Sequence, residues 1–412
     1  MSVELYHSWR HRFALLTALA TFLLLGAGGL VTSHGAGMAV PDWPNSYGYN
    51  MFFFPVSLWV GGVFYEHTHR LMASGVGFLT CVLALWLFGR NARRFMRWTG
   101  LTLMVASAVL LFALAGHRSD ALVLNATGLL LLVAGLVWPR CEPAEPWLRR
   151  LGLAAFGAVV LQGVLGGLRV ILFRDAIGIF HAALAQLFFV LICAIALFTS
   201  RWWIEREGRR VASASGARLP GRTLLLATTC LILVQLVIGA AMRHQHAGLS
   251  IPDFPLAYGK LWPATDADSI IRYNQQRVEV AAANPITAFQ VELQMVHRVL
   301  AGLILIGVGL SVWVCRRFGR GEPESGAVQR VAYGWLALLV TQALLGASTV
   351  WTNKAADVAT LHVMVGALSL GVGTLLTLLA FRRTEPVDLT RASRPSAAME
   401  PTFDAAAAAR PS

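Results

Sequence analysis

Four histidines that could bind a metal recur at corresponding places of a sequence that is written twice. His69 and His297 each precede an arginine and begin a long apolar stretch, while His181 and His362 each begin a later apolar stretch. Imidazole nitrogen is a common metal ligand, and two facing imidazoles on separate helices can hold the iron of a heme between them. The four residues therefore predict two heme sites, one in each copy.

The duplication is visible in two further pairs of strings. Residues 28–44 read GGLVTSHGAGMAVPDWP and residues 239–255 read GAAMRHQHAGLSIPDFP, while QGVLGGLRV (162–170) is matched by QALLGASTV (342–350). The Pro and Asp of PDWP and PDFP are turn-forming residues, because proline fixes φ and aspartate bonds its own backbone. We expect each of these turns to form part of a lid over its histidine pair.

Zinc is the alternative metal, because His67-x-His69 and His244-x-His246 each offer two imidazoles. Zinc sites usually also recruit cysteine or carboxylate ligands, and residues two apart on a helix point in different directions. The sequence therefore favours heme iron. A histidine that simply bonds a backbone carbonyl at the membrane interface is the structural alternative for any one position. Recurrence of the histidines at corresponding places of two copies argues against it.

Charged residues accompany the first histidine of each pair. Glu66 shares a helix face with His69, three residues later, and its counterpart in the second copy is Gln294. A carboxylate in one copy and an amide in the other predict proton-coupled chemistry in the first copy alone, with an acid at a helix N-terminus as the simpler alternative. Arg70 and Arg298 are candidates for pairing with heme propionates or for snorkelling to the membrane surface.

The elements that carry these residues are predicted to be membrane-spanning helices. Hydrophobic residues make up 56% of the chain and charged residues 13%, which is typical of a polytopic membrane protein. Uncharged runs of about 20 residues recur, and they lack the alternation of membrane strands. The fold class is therefore all-α. The predicted spans, about ten in number, cover residues 12–32, 68–89, 98–116, 121–138, 150–170, 178–199, 222–242, 296–315, 330–350 and 360–381.

The repeat predicts the domain organisation. We expect two parallel four-helix repeats related by an axis along the membrane normal, covering residues 1–205 and 206–383. The first repeat carries an extra two-helix hairpin at about 95–142, because its two histidines are farther apart than those of the second. Residues 384–412 are rich in Ala, Pro, Ser and Thr and predict a disordered cytoplasmic tail.

The distribution of charge argues against a nucleic-acid partner despite the net charge of +13. Most basic residues fall in alternate loops, which is the positive-inside pattern and places both termini in the cytoplasm. The four histidines then lie at the external mouths of their helices. The five cysteines fall within predicted helices, at their ends or in a cytoplasmic loop, so no disulfide framework is expected.

On these motifs the chain resembles the heme A synthase family over about residues 10–383, apart from the hairpin. The resemblance is carried by the PDWP element, the E-x-x-H-R string and the element that ends at His181. It implies a membrane oxidoreductase that oxidises the C8 methyl of heme O to a formyl group for cytochrome oxidase maturation. It also implies that His69 and His181 flank heme O and that Glu66 is the catalytic carboxylate. His297 and His362 would then ligate heme b.

The resemblance further implies a multi-pass protein of the bacterial cytoplasmic membrane that works with the cytochrome oxidase assembly machinery. The farnesyltransferase that produces heme O, an electron partner of unknown identity and a second copy of the chain are additional candidate partners. Two departures stand out: no cysteine accompanies the first PDWP, which Val40 precedes, and the hairpin raises the family's eight spans to ten. A diheme electron carrier and a heme transporter or chaperone remain alternative functions.

Overall fold

The computed structural model describes residues 6–113, 118–210, 221–276, 285–318 and 325–381, and within these ranges it contains twelve α-helices and no β-strand. The predicted tail after residue 383 lies outside the described residues. The helices are α1 (Ser8–Ser33), α2 (Gly62–Phe88), α3 (Arg90–Ala113), α4 (Arg118–Val137), α5 (Pro146–Leu172), α6 (Asp175–Phe198), α7 (Arg201–Arg210), α8 (Arg222–His244), α9 (Ala267–Gln275), α10 (Ala288–Phe318), α11 (Ser325–Trp351) and α12 (Ala356–Phe381).

Eight of the described helices are long and apolar enough to cross a membrane, namely α1, α2, α5, α6, α8, α10, α11 and α12. A helix rises about 1.5 Å per residue, so 20 residues cover the roughly 30 Å hydrocarbon core of a bilayer. The predicted all-α polytopic membrane fold is therefore confirmed. Between α8 and α10, α9 forms a short additional helix.

The helices pack as two groups of four around their own apolar cores. One core joins α1, α2, α5 and α6, and the other joins α8, α10, α11 and α12. The groups meet where α1 and α6 pack on α12, and where α6 packs on α8. In the second core Trp335 is fully buried and its indole N–H donates to the Ser369 carbonyl at 2.8 Å. The predicted domain boundary between residues 205 and 206 falls inside α7 and stays a prediction.

The inserted hairpin is helical, as predicted, but its first helix is less apolar than the helices of the bundle. Its first helix, α3, opens with the basic string RNARRFMR, and the apolar part of α4, Ala121–Val137, is shorter than the eight spans. That the hairpin crosses the membrane stays a prediction. Among the described elements α4 packs closely only against α3, and the backbones meet where a Cβ on Gly128 would lie 2.8 Å from the Gly100 carbonyl oxygen.

The hairpin is joined to the bundle mainly at its base. Arg10 of α1 donates from Nη2 to the Glu142 carbonyl at 2.8 Å, and the amide of Arg90 donates to the Cys141 carbonyl at 2.9 Å. These contacts fix where the hairpin leaves and re-enters the bundle. They lie far along the chain from the histidines, so the hairpin can change without moving the histidine pairs.

We predict that Gly128→Ala loosens the hairpin selectively, because its new methyl group would collide with the α3 backbone. Gly157→Ala on α5 is the matched control, since a Cβ there meets no atom within 4 Å. Hydrogen–deuterium exchange should show lost protection in α3 and α4 of the first variant and an unchanged pattern in the second. Equal exchange in both variants would contradict the described packing.

Candidate functional site

All four predicted ligand histidines lie near one end of the bundle, the end at which α1, α5, α8 and α11 finish, and each rests on a glycine of a neighbouring helix. A Cβ added to that glycine would lie 3.1–3.3 Å from the imidazole Cε1 atom, so a larger residue would push the ring away by a few tenths of an ångström. The pairs are His69 with Gly28, His181 with Gly166, His297 with Gly239, and His362 with Gly346.

The imidazoles form two facing pairs, one in each group of helices. The ring centroids of His297 and His362 are 6.5 Å apart, with their planes inclined at 62°. A metal held between two imidazoles through bonds of about 2.0–2.1 Å would set the ring centroids about 6.4 Å apart. His69 and His181 are near enough for their charges to interact. The spacing of the second pair therefore fits a bis-imidazole heme site.

The surroundings of the rings support the same interpretation. The Nδ1 atoms of all four histidines are buried without a geometrically acceptable hydrogen bond. The carbonyls of Gln162 and Gln342 face His181 and His362 from equivalent places on α5 and α11. An acceptor beside Nδ1 orients a ring so that Nε2 is presented to a metal. The described residues contain no cluster of three or more His, Cys, Asp or Glu side chains suited to a metal ion.

The loop between α1 and α2 is held over the first pair by Arg70. Its Nη1 donates to the carbonyls of Asp42 at 2.7 Å and Asn45 at 3.0 Å. Its Nη2 donates to the Val40 carbonyl at 2.8 Å and forms an ion pair with Glu66 at 2.7 Å. The guanidinium of Arg70 therefore faces the loop rather than the two imidazoles. Its predicted pairing with a propionate would break these four contacts.

Arg298 holds the loop of the second pair in the same way. Its Nη1 donates to the Leu256 carbonyl and its Nη2 to the Asp253 carbonyl, both at 2.8 Å. The Asp253 carboxylate accepts the amides of Tyr258 at 2.7 Å and Gly259 at 2.9 Å. The two PDxP turns, predicted as lids, therefore share the arginine bonds to two loop carbonyls and the aspartate bonds to two amides, whereas the bond to the Val40 carbonyl and the ion pair with Glu66 belong to the first turn.

Asp42 of the first turn accepts the amides of Tyr47 and Gly48. Partial burial acts to raise the pKa of Asp42, but these two N–H groups and the charge of Arg70 outweigh it and hold that pKa below its usual value. A carboxylate with a lowered folded-state pKa stabilises the fold above its unfolded-state pKa. That contribution is lost only as the pH falls through the lowered value, so the turn tolerates mild acid.

Glu66 and Gln294 occupy the same structural position. Glu66 is 4% exposed and accepts the Val40 amide at 2.9 Å, while Gln294 is 3% exposed and accepts the Ile251 amide at 2.8 Å. Gln294 also accepts the Ser250 hydroxyl at 2.8 Å. Both side chains therefore tie a loop to the helix that carries a ligand histidine. The two positions differ in chemical type, because Glu66 carries a carboxyl group and Gln294 a neutral amide.

The histidines considered for zinc have other surroundings. His67 is fully buried, with Nδ1 3.1 Å from the Ser46 hydroxyl and its ring between Phe54 and Trp59. It braces the first loop. In the second half, His244 packs against Gly178 of α6 and His246 starts the loop with a φ of 53°. Neither HxH string assembles a zinc site.

Two arginines that sequence reasoning missed lie beside the histidine pairs. Arg169 near the end of α5 acts electrostatically on His69 and His181, and Arg243 at the end of α8 acts on His362. The sequence did indicate Arg169 as a candidate, because it falls inside a predicted span. An ionisable group within a span is a functional candidate by default.

The apolar spans define a polytopic membrane protein, and the four histidines form two pairs of one design within it. Residues 116–374, more than half of the chain, match the model of the cytochrome oxidase assembly protein family, and the chain belongs to that family.

Three relatives are each named heme A synthase. The protein of Geobacillus kaustophilus is 24% identical over 91% of this chain and 93% of its own length. That of Cereibacter sphaeroides is 32% identical over 58% of this chain and 62% of its own length. That of Methylobacterium radiotolerans is 30% identical over 49% of this chain and 52% of its own length.

We predict that Gln294→Ala destabilises the second half, because it leaves the buried Ile251 amide without an acceptor. An unsatisfied buried group costs about 1–3 kcal/mol. The unfolding midpoint in detergent should fall. Glu292→Ala, a change at an exposed position two residues away, removes only a solvent-exposed hydrogen bond from Thr265 and should shift the midpoint far less. An unshifted midpoint for Gln294→Ala would show that the loop does not depend on this contact.

Proposed function

We propose that the chain is a heme A synthase, an integral membrane oxidoreductase that oxidises the C8 methyl of heme O to a formyl group. The observation that carries the proposal is the difference between two otherwise matching sites: Glu66 stands where Gln294 stands in the copy. The cytochrome oxidase assembly family and the relatives named heme A synthase support it. They do not favour a diheme electron carrier or a heme transporter.

In this proposal the two histidine pairs have different occupants. His69 and His181 hold the substrate heme O, while His297 and His362 hold heme b as a resident cofactor. The 6.5 Å separation of the second pair supports a bis-imidazole site there. Heme b, when bound, supplies one-electron redox chemistry. The glycine under each histidine limits where its imidazole ring can lie.

Glu66 would handle the protons of the reaction. Two successive hydroxylations of one methyl carbon, followed by loss of water, give the formyl group. With water as the source of oxygen, the conversion of methyl to formyl releases protons together with electrons, and the electrons pass to the electron partner. Glu66 lies 2.7 Å from the guanidinium of Arg70, and a carboxylate at this place can accept a proton whereas an amide cannot. Gln294 keeps the loop contact without titrating, so the second site is suited to holding a cofactor.

We assign Arg70 and Arg298 to the lids rather than to propionates, because their guanidinium groups already donate to loop carbonyls. The bacterial cytoplasmic membrane, with both termini in the cytoplasm, is the proposed location. The heme O-producing farnesyltransferase, an electron partner and a second copy of this chain remain proposed partners.

The proposal predicts that Glu66→Gln abolishes formation of heme A while heme content and lid structure persist. The oxygen of the introduced amide can still accept the Val40 amide, as that of Gln294 accepts the Ile251 amide, but it cannot take a proton. The ion pair with Arg70 is lost, and the three loop carbonyls that Arg70 bonds remain to hold the lid. The measurement is heme A in membranes of cells that make heme O but lack their own synthase. Gln294→Glu, the reciprocal change, is the matched control and should leave turnover intact. Normal turnover by Glu66→Gln would restrict Glu66 to holding the loop.

We further predict that His297→Ala removes the heme b absorption bands from the purified protein, because a single imidazole remains at that site. His246→Ala, a change in the loop beyond α8, serves as the control and should retain the bands. An unchanged spectrum of the His297 variant would refute the ligand assignment at the second site.

A further inference from the structure

Arg169 and Arg243 bring two positive charges together where the helix groups meet. Arg243 belongs to the second group, yet its Nη2 donates to the Gly29 carbonyl of α1 at 2.6 Å and to the Ser33 hydroxyl. Arg169, which belongs to the first group, is near enough for its positive charge to act on Arg243. Arg169 in turn lies under the first loop, where a Cβ on Gly37 would be 2.7 Å from its Nη2.

These charges lack an anionic partner within the described ranges. Arg169 makes no hydrogen bond or ion pair there, and its Nε is buried and unpartnered. The Nε of Arg243 is also buried and unpartnered, while its Nη2 donates to α1. Two like charges held together in a low-dielectric region are costly unless an anion joins them. The arrangement therefore calls for a ligand with carboxylate or similar groups.

Each arginine serves one histidine pair. Arg169 acts on His69 and His181, and Arg243 acts on His362. The repeat places threonines at the counterpart positions: Thr349 corresponds to Arg169, and Thr32 corresponds to Arg243. Both threonine hydroxyls donate to carbonyls of their own helices. Each half thus contributes one cation from a different helix, Arg169 from α5 and Arg243 from α8.

We propose that Arg169 and Arg243 form a carboxylate clamp that holds the propionates of the two hemes at the boundary between the halves. This rests on the proposed function, since it takes heme as the occupant of both histidine pairs. Arg169 would hold the propionates of heme O and Arg243 those of heme b. In heme O the C8 methyl shares a pyrrole ring with one propionate, so fixing that carboxylate also positions the carbon to be oxidised.

The test compares Arg169→Gln and Arg243→Gln in the full-length purified protein. Arg174→Gln is the matched control, because it removes the same charge from an exposed position just beyond α5. Each protein is titrated with iron protoporphyrin IX, heme O and the dimethyl esters of both, which retain the iron but lose the carboxylates. Binding is followed by the Soret absorption, and a single elution peak in size exclusion checks folding.

Arg169→Gln should weaken heme O and Arg243→Gln should weaken iron protoporphyrin IX, each by about tenfold to a hundredfold. Affinity for the esters should not change, and Arg174→Gln should match the wild type. Arg→Lys variants should recover part of the loss, because they restore the charge without the planar fork. Equal loss for acids and esters, or unchanged affinity for the acids, would overturn the clamp.

The proposed function and the clamp can fail separately. If the wild-type chain distinguishes acid from ester but forms no heme A, the clamp stands and the synthase activity fails. If heme A forms while neither arginine variant changes acid affinity, the synthase stands and the clamp fails.

Discussion

The contact on which each site depends is an arginine guanidinium that satisfies the carbonyls of the loop above it. A loop at the mouth of a membrane bundle cannot leave its backbone groups unpaired where water is scarce. Arg70 and Arg298 supply donors to these carbonyls. Arg70 and Arg298 directly follow the candidate ligands His69 and His297. The same helical turn therefore positions both the imidazole and the loop above it.

A second constraint is the close approach of helices at the histidines. Each imidazole rests on a glycine, so each ring is placed by the packing of two helices rather than by its own side-chain torsions. The repeat preserves this arrangement in both halves. Function can then diverge through a few side chains on an unchanged framework: Glu66 against Gln294, and Arg169 and Arg243 against threonines. This agrees with the general finding that activity lies in sites placed on folds rather than in folds themselves.

Much of the fold could be predicted from the sequence, because spans of the bilayer demand long apolar runs and the duplication marks equivalent positions. The hairpin was harder, since the basic start of α3 and the short apolar part of α4 blur the hydropathy signal. The four histidines were singled out by their recurrence, and their role as ligands stays a prediction. The partners of Arg70 and Arg298 were not, because a sequence cannot say whether a guanidinium donates to a backbone carbonyl or to a ligand. The role of Glu66 as a loop acceptor was missed for the same reason.

The central claim is that one framework holds a substrate heme in one half and a cofactor heme in the other. It is tested most directly by extracting the hemes of the purified wild-type protein and separating them by chromatography. Our account predicts heme O or heme A together with heme b. Two equivalents of heme b, with neither heme O nor heme A, would contradict it and would identify an electron carrier instead.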